Sequence, residues 1–558
     1  MRQALLFGLL LLIGFGRSAQ AQDTDILLGH DLYHYMDRLD IKGHTDTTVL
    51  TFHKPYGRAY MRELFGRVDL ADLAPAEAAW HARMRMLTDD EFARQEQFKG
   101  IGNKVFTNHR DLFAIEKEGF RLYVNPAVHF AGGLDQNNYP DAFQENLPLS
   151  INTRGLVIRG SIKEKVGFYT EVSENITRFP FYIYQGFQDT EVLYGEGFVK
   201  TFGQETGLDY LGSRAYLTVS PFSFMRLKFG KDRAFWGNGW QSLQLSDQAA
   251  DYLFLTINTR IWKLEYVNHF TQMIDFLPGK IDTEGTYPRK YGAFHQLNFQ
   301  PNDRLSIGFF ESVIYAAEIG GQRRGLELQY FNPLIFYRAA EQYVGSPDNA
   351  LLGLQLKWNF LQRFQFYGQL LLDDYNFGRR DEGAGYWQNK VGFQTGLKYI
   401  DVLGIPSLDL QLEYNRVRPY TYQHFNLSTN YTHYNQNLGH AAGANLSDIH
   451  LIMRYHPFAA WNFLATYSRI TQGLDQDGIN YGGNPLSPDL IRAGDFEQVV
   501  GQGVVSNVQQ AYVRVSRQLW NADLYAEVEG RYRRENDLQS IMLMGGLRWH
   551  IQARNVKF

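Results

Sequence analysis

LDLQLEYN, residues 408–415, places an apolar or aromatic side chain at every second position and a polar or acidic one between them. Successive side chains of a β-strand point to opposite faces. Leu408, Leu410, Leu412 and Tyr414 therefore share one face, and Asp409, Gln411, Glu413 and Asn415 the other. The pattern recurs along the chain. Ala522, Leu524, Ala526 and Val528 alternate with Asp523, Tyr525, Glu527 and Glu529, and within 364–372 the residues Phe364, Phe366, Leu370 and Leu372 oppose Gln365 and Gln369. Each segment is about ten residues, the length a tilted strand needs to cross a bilayer. A soluble β-sandwich alternates in the same way, so the remainder of the chain has to decide.

The start of the chain supplies an address. Met1-Arg2 is positive, Ala4 to Phe15 is nearly all apolar, and Ala19-Gln20-Ala21 forms an A-x-A cleavage signal. Residues 1–21 are expected to be a secretory signal peptide. The apolar run is shorter than the roughly 20 residues of a spanning helix. The sequence contains no cysteine, which excludes a lipid-modified N-terminus, disulfides and thiolate metal sites. A net charge of -4 leaves no basic excess for nucleic acid. Mean hydropathy is -0.35, and no later apolar stretch is long enough for a membrane helix. Aromatic residues nevertheless make up 15% of the chain, including 35 Tyr and 40 Phe. A polar average with a heavy aromatic load is the composition of a transmembrane β-barrel, whose strands alternate between lipid and lumen.

Residues 22–117 read differently. Asp31 to Asp40 predicts a helix ending near Gly43, Tyr56 to Gly66 another after Pro55, and Ala74 to Leu87 a third. Thr88-x-x-Glu91 has the spacing of a capping box opening a fourth. This predicts a helical periplasmic domain over 22–117, followed by the barrel over 118–558. From residue 119, short links are expected at 163–164, 221–222, 258–259, 301–302, 361–362, 403–404, 457–458 and 520–521. Long polar links lie between them, with one short exception at 536–537. Outer-membrane barrels have short periplasmic turns and longer outer loops, and on that rule the count closes at about eighteen antiparallel strands. Closure requires the strand-like segment Leu326 to Tyr330 to belong to a loop. In this register Asp409, Glu413, Asp523, Glu527 and Glu529 face the lumen, since a charge facing lipid costs up to a few kcal/mol.

No catalytic constellation is visible: H-E-x-x-H, G-x-S-x-G and the phosphate-binding G-x-x-x-x-G-K-[ST] are all absent. His424, His433, His440 and His450 are grouped, but their spacing fits no metal template. Neither a metal nor a cofactor is expected. Asp373-Asp374 could be an acid and base, yet adjacent strand residues face apart. Three segments stand out, 229–249, 332–352 and 418–445, each combining aromatic, amide and charged residues at the outer mouth or in the upper lumen. Such groups can hold sugars, which offer apolar C–H faces and rings of hydroxyls. They can equally be packing that seals the mouth, and residue chemistry alone places this second role slightly ahead.

These segments resemble the capsule assembly Wzi family. The likeness is carried by G-K-D-x-x-x-W-G-N-G…S-L-x-L-S-D from Gly230 to Asp247 and by N-P-L-x-F-Y-R-x-x-E…S-P-D-N-x-L-L-G from Asn332 to Gly353. L-x-L-D-D at Leu370 to Asp374 and E-Y-N-R-x-R-P-Y-T-Y-x-H…L-G-H-x-x-G-A-N from Glu413 to Asn445 extend it. The helical stretch, with Y-M-D-R-L-D-I-K-G and K-P-Y-G-R, is similar too. Gly237-Asn238-Gly239, where the family often has a proline, looks like the Bacteroidetes branch that includes the gliding-motility protein RemB. The resemblance implies an eighteen-stranded outer-membrane barrel with a periplasmic helical bundle, in a family not known for enzymes. The implied role is attaching or organising surface polysaccharide, with outer-membrane lipid and that polysaccharide as partners. Gliding or adhesion, with other envelope proteins as partners, is the first alternative and a passive porin-like channel the second. The candidate glycan-binding rim is Asp232, Arg233, Trp236, Trp240, Arg338, Glu341, Asn349, Tyr420, Tyr422 and His424.

Overall fold

The computed structural model describes residues 24–44, 50–95, 106–107, 110–140, 145–163, 165–202, 207–276, 287–319, 321–332, 348–373, 385–520 and 523–552. Eighteen antiparallel strands close into one barrel. The first six are β1 Phe120–Asn137, β2 Asn146–Ile162, β3 Val166–Arg178, β4 Gly207–Phe222, β5 Met225–Asp232 and β6 Tyr252–Ile261. Next come β7 Leu264–Ile274, β8 Arg289–Phe299, β9 Leu305–Ala316, β10 Asn349–Phe360, β11 Phe364–Asp373 and β12 Lys390–Tyr399. The last are β13 Leu408–Val417, β14 Leu446–Tyr455, β15 Trp461–Leu474, β16 Val504–Leu519, β17 Leu524–Glu535 and β18 Leu538–Trp549. β18 seals the ring against β1, with Trp549 opposite Val128.

Six of the eight short links lie where the sequence puts them. Two lie further on, because β4 and β6 run past the expected turns. β4 absorbs Pro221 in an irregularity between Val219 and Phe222. Asn258 stays in the ladder of β6 because its amide bonds the buried Glu265 across the lumen wall, at 2.9 Å. Leu326 to Tyr330 is no strand. A 3-10 turn, Leu328–Phe331, forms there instead, and the even count stands.

Alternation sorts the faces as expected. Asp409, Glu413 and Asp523 are buried towards the lumen, while Leu412, Leu451, Val513 and Val528 are exposed on the outer wall. Exposed Trp262, Trp358, Phe458 and Trp520 cluster at the short-turn end, where an aromatic girdle marks the edge of the hydrocarbon.

Three strands break the alternation. On β7, β8 and β9 the residues Asn268, His295 and Glu311 stand in one cross-strand row on the outer face. All three are buried, as are Phe270, Ala293 and Val313 in the next row. Phe331 stacks on Phe270 at 4.4 Å between ring centroids, and Tyr330 lies 5.0 Å from Tyr315. The connection after β9 thus lies against the outside of the barrel here, with its own Leu326 and Leu328 exposed.

The helices are α1 Asp31–Lys42, α2 Arg58–Arg67, α3 Pro75–Thr88 and α4 Asp90–Gln95. Gly43 ends α1 in the left-handed region at φ 82°, donating its N–H back to the helix. The cap of α4 is Asp89, not Thr88: its carboxylate accepts from the N–H groups of Glu91 and Phe92, while the Thr88 hydroxyl bonds back to Met84. These helices do not form a module standing clear of the barrel. α1 lies inside the lumen, where Lys398 meets Asp37 and Lys357 meets Asp40, both at 2.7 Å, and Arg38 bonds Asp409. The charges on α1 that a free helix would turn to water find opposite charges on the inner wall. α3 spans the short-turn mouth, with Trp80 stacked on His456 at 4.0 Å and Arg83 on Gln518 at 2.9 Å. A short strand, Phe113–Lys117, then hairpins onto β1, so strand structure starts just before the expected 117/118 boundary.

Ion pairs fasten this closure. Burial alone would raise the carboxyls of Asp90 and Asp111, but Arg159 and Arg110 hold both well below the ordinary range. Burial pushes the His81 imidazole down to about 4, where its Nδ1 is 2.9 Å from the Tyr35 hydroxyl.

Candidate functional site

Two of the three segments singled out in the sequence turn inward and fill one side of the lumen. In 233–251 the backbone has left the sheet, so each buried N–H and C=O needs a new partner. Inner-wall side chains supply them. Glu413 accepts from the N–H groups of Trp240 and Gln241 at 2.6 and 2.9 Å. Gln369 accepts from Leu243 N–H at 2.8 Å and donates to the Trp236 carbonyl at 2.9 Å. The glycines permit this approach: a Cβ on Gly239 would stand 2.6 Å from a Glu413 oxygen, and Gly237 holds φ 141°. The segment 418–445 packs on top. Tyr422 donates its hydroxyl to the Leu243 carbonyl at 2.9 Å and stacks on Tyr431. Trp236, Leu243, Leu245, Phe294, Phe310, Leu371, Tyr422 and Tyr431 then form one hydrophobic core inside the barrel.

The histidines close part of this plug. His440 and His450 both reach Asp448 Oδ2, at 2.8 and 2.9 Å, and these three residues are the one group among those described with atoms close enough to hold a metal ion. Ala442 N–H donates to His440 Nδ1 at 3.3 Å. That bond leaves the ring proton on Nε2, which donates to Asp448. A metal at Nε2 would force the proton to Nδ1, against another donor, so the trio fits a hydrogen-bond network better than a metal centre.

The other side of the lumen is open. A cavity of about 800 Å³ lies between α1, the inner faces of β15–β18 and β1–β4, and a loop helix, α5 Phe181–Thr190. Arg233 and Trp240 face it from the plug. Arg514, Arg531 and Arg533 face it from the wall, with Arg531 donating to the Tyr182 hydroxyl at 2.7 Å and Arg533 to the Tyr139 hydroxyl at 2.9 Å.

The ten rim candidates accordingly divide. Arg233 and Trp240 line the cavity; Arg233 also bonds Asp251 at 2.7 Å, and Arg454 lies over the Trp240 ring. Asp232 pairs with Lys228 at 2.9 Å, which in turn holds Asp25 of the N-terminal segment. Trp236, Tyr420, Tyr422, Asn349 and His424 are buried, with bonds directed into the plug or no bond at all, so they form packing and not an outer rim. Tyr420 donates to Gln498 and the Asn480 carbonyl, and the His424 ring bonds the Thr429 hydroxyl. The correction has a plain cause: loops rich in amides and aromatics satisfy each other when they fold inward. Arg338 and Glu341 lie outside the described residues, as does Asp374. Sequence reasoning missed Arg531 and Arg533, though they continue the inward face of Glu527 and Glu529 two and four residues on.

A family model described as capsule assembly protein Wzi matches residues 163–535. A search of curated proteins finds no match. Among solved structures, Wzi of Escherichia coli is described as an outer membrane protein involved in group 1 capsule assembly and a carbohydrate-binding β-barrel. It is similar at a TM-score of 0.57 and 14% identity, over 96% of this chain and 100% of its own. OccK9 (OpdG) and OprD of Pseudomonas aeruginosa match at TM-scores of 0.42 and 0.41, with 11% and 10% identity. They cover 76% and 77% of this chain, and 98% and 94% of their own.

Proposed function

Because the chain belongs to the capsule assembly Wzi family, we propose that it is an outer-membrane protein that holds or organises a surface polysaccharide without chemically altering it. In this reading residues 1–21 are removed on export, the short-turn mouth closed by α2–α4 faces the periplasm, and the long connections face out. The observation that carries it is the half-filled lumen. The plug removes a pore of barrel width yet leaves a cavity bordered by aromatic faces, amides and charged groups. Sugars are held by stacking of C–H faces on aromatic rings and by hydrogen bonds to their hydroxyls. Trp240 and Arg233 keep access to that space and are the rim candidates retained for binding. The solved relative's description as carbohydrate-binding agrees with the proposal.

Removing the protein from its cell tests this. Polysaccharide should pass from the cell-associated to the shed fraction on deletion and return on complementation. An unchanged partition, with spreading or adhesion lost instead, would overturn it.

A further inference from the structure

We propose that the open half of the lumen takes a saccharide segment bearing an anionic substituent, held between Arg514 and Arg531. This rests on the polysaccharide-holding role proposed above and names the chemistry of the ligand.

Eight arginines among the described residues are buried: Arg38, Arg110, Arg159, Arg233, Arg514, Arg531, Arg533 and Arg548. Six of them have a carboxylate within ion-pair distance. Arg38 has Asp409, Arg110 and Arg159 share Asp111, Arg233 has Asp251, Arg533 has Glu535 and Arg548 has Glu527. The two exceptions are Arg514 and Arg531, 4% and 7% exposed. Both line the same cavity. They also stand on adjacent strands, since Arg514 lies opposite Glu529 and Arg531 opposite Tyr512. That makes them diagonal neighbours on one inner face.

Asp31, Glu527 and Glu529 lie near enough to act on the charge of Arg514, and Glu529 on that of Arg531, but none makes an ion pair with either. Glu529 accepts from the Tyr512 hydroxyl at 2.6 Å, and Glu527 from Arg548 at 3.2 Å. The Nε of Arg514 and that of Arg531 each lack a hydrogen-bond partner. Enclosing a guanidinium without a carboxylate in direct contact is costly, and the six other buried arginines each have one. A planar fork of donors suits a carboxylate, sulfate or phosphate oxygen pair. Tyr182 and Trp240 line the same cavity, each with an arginine, Arg533 and Arg454, already over one face of its ring. The space, about 800 Å³, lies in the range that encloses most of a small ligand.

The test uses the full-length protein in detergent and fragments of the source cell's own surface polysaccharide, separated by anion exchange into charged and neutral pools. Wild type should bind the charged pool about tenfold more tightly than the neutral one, and added salt should reduce that preference. Arg514→Gln/Arg531→Gln should bind both pools alike, at the neutral level. Arg514→Lys/Arg531→Lys, which keeps the charge, should retain part of the preference and guards against loss of fold, as does unchanged heat-modifiable mobility. Equal binding of the charged pool by wild type and the glutamine variant would overturn the proposal while leaving the polysaccharide role standing. Wild type that prefers the neutral pool would overturn it too. Wild type that binds neither pool, with a deletion strain that keeps its coat, would remove the role and the proposal together.

Discussion

The lumen has two halves built on opposite plans. Beside β5–β14, two long connections fold in and form a buried hydrophobic core around Trp236. Beside β15–β18 and β1–β4 the inner wall carries charge, the space stays open, and α1 and α5 only border it. Both halves use the same strand pattern, so alternation does not set the difference. It comes from two long connections that leave the sheet and find inner-wall side chains, Glu413 and Gln369, to take up backbone groups of the first. One side of a barrel can thus be given over to stability and the other kept for binding.

Substitutions can break or sharpen that contrast. Trp236→Ala should have the largest effect, about 3–5 kcal/mol of lost stability, read as a lower urea midpoint by fluorescence; a loss under about 1 kcal/mol would mean the inward core is not rigidly packed. Glu413→Ala comes next. It removes the acceptor for two plug N–H groups, the Tyr367 hydroxyl and the Asn415 amide, at about 3 kcal/mol. Glu413→Gln should recover part of that.

Acid should act at the closure between the halves and the short-turn mouth. His81 is held neutral, with its value pushed down to about 4, below the 6.5 of an unfolded histidine. A lowered value means that its contribution is complete above pH 6.5 and is lost as pH falls through 4. From pH 7 to 5 the contact of α1 with α3 should weaken by about 2 kcal/mol, seen as faster proteolysis within α3. His81→Gln should flatten that slope. Smallest of all, Trp240→Ala on the cavity side should cost under about 1 kcal/mol of stability, yet lower polysaccharide binding.

Much of the barrel was legible because its physics is local. Leu408 to Asn415 shows its two faces at a glance, and a lipid boundary forbids other registers for Asp409 and Glu413. The helix end at Gly43 was equally plain. The candidate site was legible in part. The segments that matter were found and packing was weighed for them, but nothing local separated Tyr422 and Trp236, buried in the plug, from Trp240 and Arg233, which line the cavity. Nothing in 418–445 states that its tyrosines will find carbonyls of 243–244; that partnership is long-range and exists only once the ring has closed. Arg514 and Arg531 were hidden for the same reason, since the lack of a direct ion pair shows only when every neighbour is in place.

The covered row at Asn268, His295 and Glu311 changes what the surrounding bilayer meets. Where Phe331 and Tyr330 lie against Phe270 and Tyr315, the outer face of the sheet meets protein and not lipid, and Leu326 and Leu328 of the same connection are exposed. Along that arc, a volume change at Ala293 or Val313 should be judged by the rules of a close-packed protein interior, whereas the same change at Leu451 answers to lipid.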